Sequence, residues 1–207
     1  MSYGIHPIVV ALEEVKCVLG SQQKPASLLG RLFGSRRVDL VSEIIRDQGP
    51  LDEDDGFIDD DSITIEQALR DLFSGARLNP GDGAAYAYAL FALCNQLGEF
   101  QVNSEWSPMR AERGDIVNTA MKEAGIPEEV LGIHSLMYRG APLDIPEPGD
   151  FPSMGYLLNE ELAPAVKALS GADLSVISDE FRPAVTQVGL WLDRALALKS
   201  DLVCFYF

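Results

Sequence analysis

The sequence contains few cysteines and histidines, three and two respectively among 207 residues. Cys17, Cys94 and Cys204 have apolar neighbours, form no C-x-x-C pair and are odd in number, so we expect buried thiols in a reducing compartment rather than disulfides. His6 and His134 lack the spacing of zinc ligands, either with each other or with a cysteine. We therefore predict no metal site and no cofactor.

The sequence also lacks long hydrophobic runs and an export signal. Its longest apolar run, Ala84 to Cys94, is too short to cross a bilayer as a helix. The N-terminal segment has neither the basic region nor the cleavage pattern of a signal peptide. These features predict a cytoplasmic protein without membrane contact.

Basic residues are scarce relative to acidic ones. There are 16 Lys and Arg against 32 Asp and Glu, which gives a formal net charge of −16. A field of this sign repels nucleic acids and anionic membranes and attracts basic proteins and cations. No G-x-S-x-G, G-x-x-x-x-G-K-[ST] or strand-linked G-x-G-x-x-G motif is present. We therefore predict no nucleic-acid partner, and no familiar catalytic motif indicates an enzyme.

The negative charge is concentrated in one stretch of the chain. Residues 1–49 hold six bases and five acids, and residues 62–207 hold ten bases and twenty acids. Residues 50–61 hold seven acids and no base: Asp52, Glu53, Asp54, Asp55, Asp59, Asp60 and Asp61. Glycine and proline beside these acids predict an exposed acidic loop over residues 47–62.

The acidic loop resembles a calcium-binding loop only in part. Asp55, Gly56 and Asp59 fit three positions of the EF-hand pattern, but the first and twelfth positions are Leu51 and Ser62. Because two principal ligands are missing, we do not predict an EF-hand. An irregular cation site and a simple solvated loop remain alternatives.

A second interpretation makes this loop a contact surface for a protein. Clustered carboxylates repel one another, and Phe57 and Ile58 lie among them as apolar anchors. Charge around a hydrophobic anchor favours fast, steered association. We expect a binding protein for a basic partner, by analogy with immunity or antitoxin proteins that neutralise basic toxins. The predicted contact residues are Asp52, Glu53, Asp54, Asp55, Phe57, Ile58, Asp59, Asp60 and Asp61.

A second group of residues indicates an alternative function. Aromatic and arginine side chains in irregular segments are typical of binding sites, since arginine can hold an anion while aromatic rings stack. The candidate pocket for a small ligand or substrate consists of Glu99, Trp106, Arg110, Tyr138 and Arg139. A structural arginine–carboxylate ion pair beneath a packed tryptophan explains the same residues better, because no nucleophile or metal cluster accompanies them.

The hydrophobic pattern predicts a mostly helical α+β fold in one domain spanning residues 1–207. Apolar, β-branched residues from Ile5 to Val10 and the terminal sequence LVCFYF indicate strands, which we expect to pair with each other. Thr64 and Gln67 indicate a capping box at a helix start. Apolar residues on all sides of the stretch from Ala84 to Leu97 indicate a buried helix.

Several segments resemble an uncharacterised bacterial family that carries a domain of unknown function. The similar stretches are MSYGI, GAAYAYAL, LGEF, WSPMR, LMYRGAP, DFPSMGYL and LVCFYF. The GYL segment and the terminal helix followed by LVCFYF also resemble the YfbM-like family. The resemblance implies a single bacterial α+β domain and carries no catalytic residues to this sequence.

Overall fold

The computed structural model describes residues 3–20, 40–47, 62–149 and 151–207. The chain divides into two compact units. The first comprises Met1–Ala11, Gly98–Pro142 and Ser153–Phe207, and the second comprises Leu12–Leu97 and Leu143–Pro152. The assignment of residues 1–207 to one domain stays a prediction.

The helices of the described residues occupy both units. They are α1 (Leu12–Val18), α2 (Ile65–Ser74), α3 (Gly83–Leu97), α4 (Arg113–Glu123), α5 (Ile133–Tyr138), α6 (Asn159–Ser170) and α7 (Arg182–Leu198). Residues 40–47 are also helical. Within the described residues, no helix is long and apolar enough to cross a membrane.

A four-stranded antiparallel sheet organises the first unit. Its strands are β1 (Ile5–Val10), β2 (Glu99–Phe100), β3 (Ser153–Leu157) and β4 (Asp201–Tyr206), in the order β2-β1-β4-β3. The chain-terminal strands pair along their whole length, from Ile5 opposite Tyr206 to Val10 opposite Asp201. The predicted pairing of the two termini and the mostly helical α+β class are therefore confirmed.

Helix α7 packs its apolar stripe against the first unit's core. Val185, Val188, Leu192 and Ala195 are buried and form this stripe, whereas Leu196 is 37% exposed and lies outside it. The helix contacts β1 and β4. It begins at Arg182, which places Pro183 in its first turn, where proline is tolerated.

The segment Ile133–Tyr138, which could be a strand or a helical turn from sequence, is the helix α5. It lies against β3, where Gly155 permits an unusually close backbone approach. A Cβ atom at Gly155 would overlap the carbonyl oxygen of Ser135 and the carbonyl carbon of Leu136. Glycine at this position is therefore a packing requirement.

In the second unit, α2 and α3 pack together. Thr64 caps α2, because its hydroxyl accepts a hydrogen bond from the Gln67 backbone N–H at 3.1 Å. The Gln67 side chain donates to Asp71 instead of returning to the cap, so only half of the predicted capping box forms. Helix α3 is buried on nearly all sides, as predicted.

The expectation of buried thiols holds for two of the three cysteines. Cys94 and Cys204 are buried, whereas Cys17 is exposed on the short helix α1. Burial raises the pKa of the Cys94 thiol to about 12 and also raises that of Cys204. Neither buried thiol is therefore available as a thiolate nucleophile at neutral pH.

The close approach at Gly155 can be tested by substitution. Gly155→Ala should lower the free energy of unfolding by about 1–3 kcal/mol, because the α5 backbone must move to admit a methyl group. Chemical denaturation measures this change. Gly149→Ala is the matched control, since nothing lies within 4 Å of its Cβ position, and it should change stability by less than about 0.5 kcal/mol. Equal effects of the two substitutions would contradict the packing argument.

Candidate functional site

Trp106, a predicted ligand-pocket residue, lies in the core of the first unit. It is fully buried, and its indole N–H donates to the carbonyl oxygen of Ala184 on α7 at 3.0 Å. The neighbouring Trp191 donates to the carbonyl oxygen of Val102 at 2.7 Å, and the two indole centroids lie 6.2 Å apart. Both tryptophans thus join α7 to the segment that contains residues 102–106.

Glu99, a second predicted pocket residue, continues the same contact. Its carboxylate accepts a hydrogen bond from Arg194 Nε on α7 at 3.0 Å. Hydrogen bonds from Arg194 and then Gln101 lower the pKa of this exposed carboxyl. Between Glu99 and Trp106, the side-chain oxygen of Gln187 on α7 accepts a hydrogen bond from the backbone N–H of Glu105 at 3.0 Å. Residues 99–106 therefore form a strap that lies along α7.

Arg139 is also held by internal contacts. Its Nη1 donates to Glu161 at 2.8 Å and to the carbonyl oxygen of Tyr156 at 3.0 Å. Its guanidinium carbon lies 4.2 Å from the centroid of the Tyr156 ring. Hydrogen bonding to Arg139 lowers the pKa of Glu161, although partial burial opposes the shift. The structural ion pair that the sequence allowed is present here.

Tyr138 belongs to a different cluster, near the end of β4. It is 55% exposed, and its ring meets that of Tyr206 edge-on with centroids 5.7 Å apart. His134, one turn earlier on α5, places Nε2 2.7 Å from Asp115 and Nδ1 3.4 Å from Glu128. These contacts of His134 join α5 to Asp115 on α4 and to Glu128, which precedes α5.

Arg110 is the predicted pocket residue that lies in a cleft. The cleft has a volume of about 620 Å³ and lies between the chain around the start of α4 and the residues preceding α7. It is lined by Pro108, Met109, Arg110, Glu112, Arg113, Ile116, Glu180 and Phe181. Arg110 is exposed, and its side chain has no hydrogen bond or ion pair to the described residues.

Backbone pairing places the first side of this cleft. Tyr3 and Met109 exchange two backbone hydrogen bonds, of 3.1 and 2.8 Å, which tie residue 109 to the N-terminal segment. The chain then turns into α4, with the backbone N–H of Arg113 donating to the carbonyl oxygen of Arg110 at 3.1 Å. Arg110 and Arg113 therefore lie three residues apart on one turn.

Arg113 links the two sides of the cleft. Its guanidinium carbon lies 5.5 Å from the centroid of the Phe181 ring, and its Nη2 lies 3.6 Å from Glu105. Its Nε is buried without a hydrogen-bond partner in the described part of the chain. Sequence reasoning missed Arg113, although its i+3 spacing from Arg110 was a usable signal. Phe181 gave no signal, because it is distant in sequence.

The structure does not join the five predicted pocket residues into one site. No hydrogen bond, ion pair or ring contact between described residues connects any two of Glu99, Trp106, Arg110, Tyr138 and Arg139. Only Arg110 lines the cleft. Their role in ligand binding stays a prediction.

The acidic residues of the predicted contact surface lie outside the described residues, as do Phe57 and Ile58. Asp47, at the start of the predicted loop, is the last residue of the helical stretch 40–47. Within the described parts of the chain, no group of three or more His, Cys, Asp or Glu residues could hold a metal ion.

The sequence model of one protein family, described as "Domain of unknown function (DUF7691)", matches residues 1–207. The chain belongs to this family. Because the match covers all 207 residues, the family unit includes both compact units of the fold. Searches of curated proteins and of solved structures found no match. The DUF7691 assignment thus agrees with the resemblance to an uncharacterised family, gives no support to the resemblance to the YfbM-like family, and brings no activity with it.

Replacing Trp106 tests its role as a core residue. Trp106→Phe removes the hydrogen bond from the indole to Ala184 and shrinks a fully buried side chain, so the free energy of unfolding should fall by about 1–3 kcal/mol without any ligand. Denaturant unfolding provides the measurement. Val102→Ala serves as the control, because Val102 is 73% exposed and its loss should cost less than about 0.5 kcal/mol. An unchanged stability of the Trp106 variant would show that the indole N–H does not support the fold.

Replacing Arg139 tests the ion pair with Glu161. The folded-state pKa of Glu161 is lowered, so the pair stabilises the fold at neutral pH and this contribution is lost as pH falls through that pKa. Arg139→Gln should raise the pKa of Glu161 toward its ordinary value, as followed by NMR titration of the carboxyl carbon. The stability difference from the unmodified protein should shrink in acid. Arg194→Gln is the control, since Arg194 contacts Glu99; an equal pKa rise in both variants would contradict the pairing.

Proposed function

We propose that this DUF7691 protein is a binding protein whose acidic surface takes a basic protein partner, in the manner of an immunity or antitoxin protein. The observation that carries the proposal is the net charge of −16, with seven acids in residues 50–61 and no base among them. A charge density of this kind accelerates and orients association with a basic surface. The proposal includes a cytoplasmic location and excludes nucleic acid and membranes as partners.

The described surface supports this proposal through its unpaired acids. In residues 62–149 and 151–207, ion pairs with carboxylates already engage Arg70, Arg113, Arg139, Arg182 and Arg194. Acids without hydrogen bonds or ion pairs to other described residues remain exposed, including Glu123, Glu129, Glu160 and Asp193. The fold therefore leaves its excess negative charge facing outward, where a basic partner can neutralise it.

Within this proposal, Phe57 and Ile58 provide the specific part of the contact. Exposed charges contribute mainly to the association rate, whereas apolar anchors that become fully desolvated contribute most of the affinity. In this segment, the seven acids would accelerate association, and the two apolar residues among them would provide most of the affinity. The partner would accordingly present a basic surface with an apolar recess.

A charge-matched pair of variants tests the acidic segment. In the first, Asp52, Glu53, Asp54 and Asp55 become Asn or Gln, and in the second, Glu123, Glu129, Glu160 and Asp193 do. Both variants carry the same net charge. The protein captured from cell lysate is identified by mass spectrometry, purified, and titrated calorimetrically against all three forms at low and high salt. The first variant should bind at least roughly tenfold more weakly than the second. Equal loss in both would show that only bulk charge matters, and retained affinity in both would refute the proposal.

A second candidate function is small-molecule binding in the cleft beside Arg110. The specific observation in its favour is that Arg110 lines the cleft, is exposed, and has no partner among the described residues. Functional pockets of several hundred Å³ typically combine apolar walls with a few polar groups that orient the ligand. The cleft has this composition, since Met109, Ile116 and Phe181 accompany the charged side chains.

A further inference from the structure

The charges around the Arg110 cleft are balanced, and this balance restricts the ligand. Two arginines, Arg110 and Arg113, and two glutamates, Glu112 and Glu180, line the same cleft as apolar side chains. We propose that the cleft binds a zwitterionic α-amino acid with an apolar side chain. This inference rests on the second proposed function, small-molecule binding in the cleft, and names the ligand class.

The two arginines of the cleft fit a carboxylate. Arg110 is exposed and keeps its guanidinium donors available, since no described residue accepts a hydrogen bond from them. Arg113 makes only a loose ion pair with Glu105, at 3.6 Å, and its guanidinium lies beside the Phe181 ring. A planar guanidinium can donate two parallel hydrogen bonds to a carboxylate, so these arginines can hold the acid group of the ligand.

The two glutamates of the cleft fit an ammonium group. Glu112 and Glu180 are exposed, and neither side chain has a hydrogen bond or ion pair to the described residues. Glu112 occupies the N-cap position of α4 without capping it through its side chain. Both carboxylates can therefore accept hydrogen bonds from a ligand ammonium group.

The two arginines and the two glutamates together discriminate against simpler ions. A ligand with only a carboxylate or phosphate would meet the repulsion of Glu112 and Glu180, and a simple amine would meet that of the two arginines. Like charges placed together penalise the wrong ligand, which is how a site gains specificity. A zwitterion satisfies both pairs at once.

The apolar wall supplies the remaining contact. Ile116 is 43% exposed although it is a large aliphatic residue, and it shares the cleft with Met109, Pro108 and Phe181. Covering such a surface removes apolar area from water and favours a ligand with a hydrophobic side chain. Phenylalanine and leucine are the natural compounds to test.

Calorimetric titration of the full chain compares three related compounds. L-phenylalanine carries both charged groups, 3-phenylpropanoate lacks the ammonium, and 2-phenylethylamine lacks the carboxylate. We expect saturable binding of phenylalanine, and binding weaker by roughly tenfold or more for each of the other two, because each leaves one pair of charges unmatched. Inorganic phosphate should not compete with phenylalanine.

Two single substitutions separate the contribution of the arginines from that of the glutamates. Arg110→Gln should weaken phenylalanine binding by roughly tenfold while leaving the melting temperature unchanged, since the Arg110 side chain supports no other described residue. Glu180→Gln should weaken phenylalanine binding and improve that of 3-phenylpropanoate, because it removes a repulsive charge. Arg77→Gln and Glu160→Gln are the controls, as both residues are exposed and lie outside the cleft.

The outcomes distinguish this inference from the function on which it rests. If 3-phenylpropanoate or phosphate binds as tightly as phenylalanine and Arg110→Gln abolishes that binding, the cleft is a ligand site but the zwitterion is wrong. If none of the compounds binds, or if Arg110→Gln and Arg77→Gln behave alike, both the zwitterion and the small-molecule function of the cleft are refuted.

Discussion

The pairing of the C-terminal strand between two others is the interaction on which the first unit depends. β4 hydrogen-bonds to β1 on one side and to β3 on the other, and five of its six residues are buried. Buried backbone groups cost free energy unless they are paired, so this extended apolar segment is buried with a partner strand on each side. β4 contacts α7 directly, and its partner strand β3 contacts α5. The strap and the start of α4 are in turn positioned against these elements.

The features of the fold that were predicted correctly are those with a strong local signal. LVCFYF has few alternatives to a buried strand, Thr64 has a clear capping role, and the stretch Ala84 to Leu97 is apolar on every face. The start of α7 and the second half of the capping box were not predictable in this way. They depend on competition between nearby partners, such as Asp71 for the Gln67 side chain, which a linear pattern does not rank.

The candidate site was harder to predict because its residues are assembled across long stretches of sequence. Trp106 looked exceptional in an irregular segment, but its partner is Ala184, 78 residues away, and the pair belongs to the core. Arg139 likewise finds Glu161 only once β3 and α6 are in place. Arg110 was identified by residue type, whereas Phe181 enters the cleft only because the chain before α7 returns to the start of α4. Residue type therefore suggested both arginines as candidates. The tertiary contacts show that Arg139 is engaged in an ion pair, whereas Arg110 has no partner among the described residues.

At two positions, α7 holds the strap by its backbone. The side chains of Trp191 and Gln187 bind the carbonyl oxygen of Val102 and the N–H of Glu105, whereas Glu99, Ser104 and Trp106 contribute side chains of their own to hydrogen bonds with α7. Val102, which is 73% exposed and is bound through its carbonyl oxygen, can consequently change identity as long as the chain keeps its path. In a lineage of related proteins, this arrangement would allow rapid drift at Val102 while the helix residues that hold the strap remain fixed, so the surface beside the sheet can diversify without cost to the core.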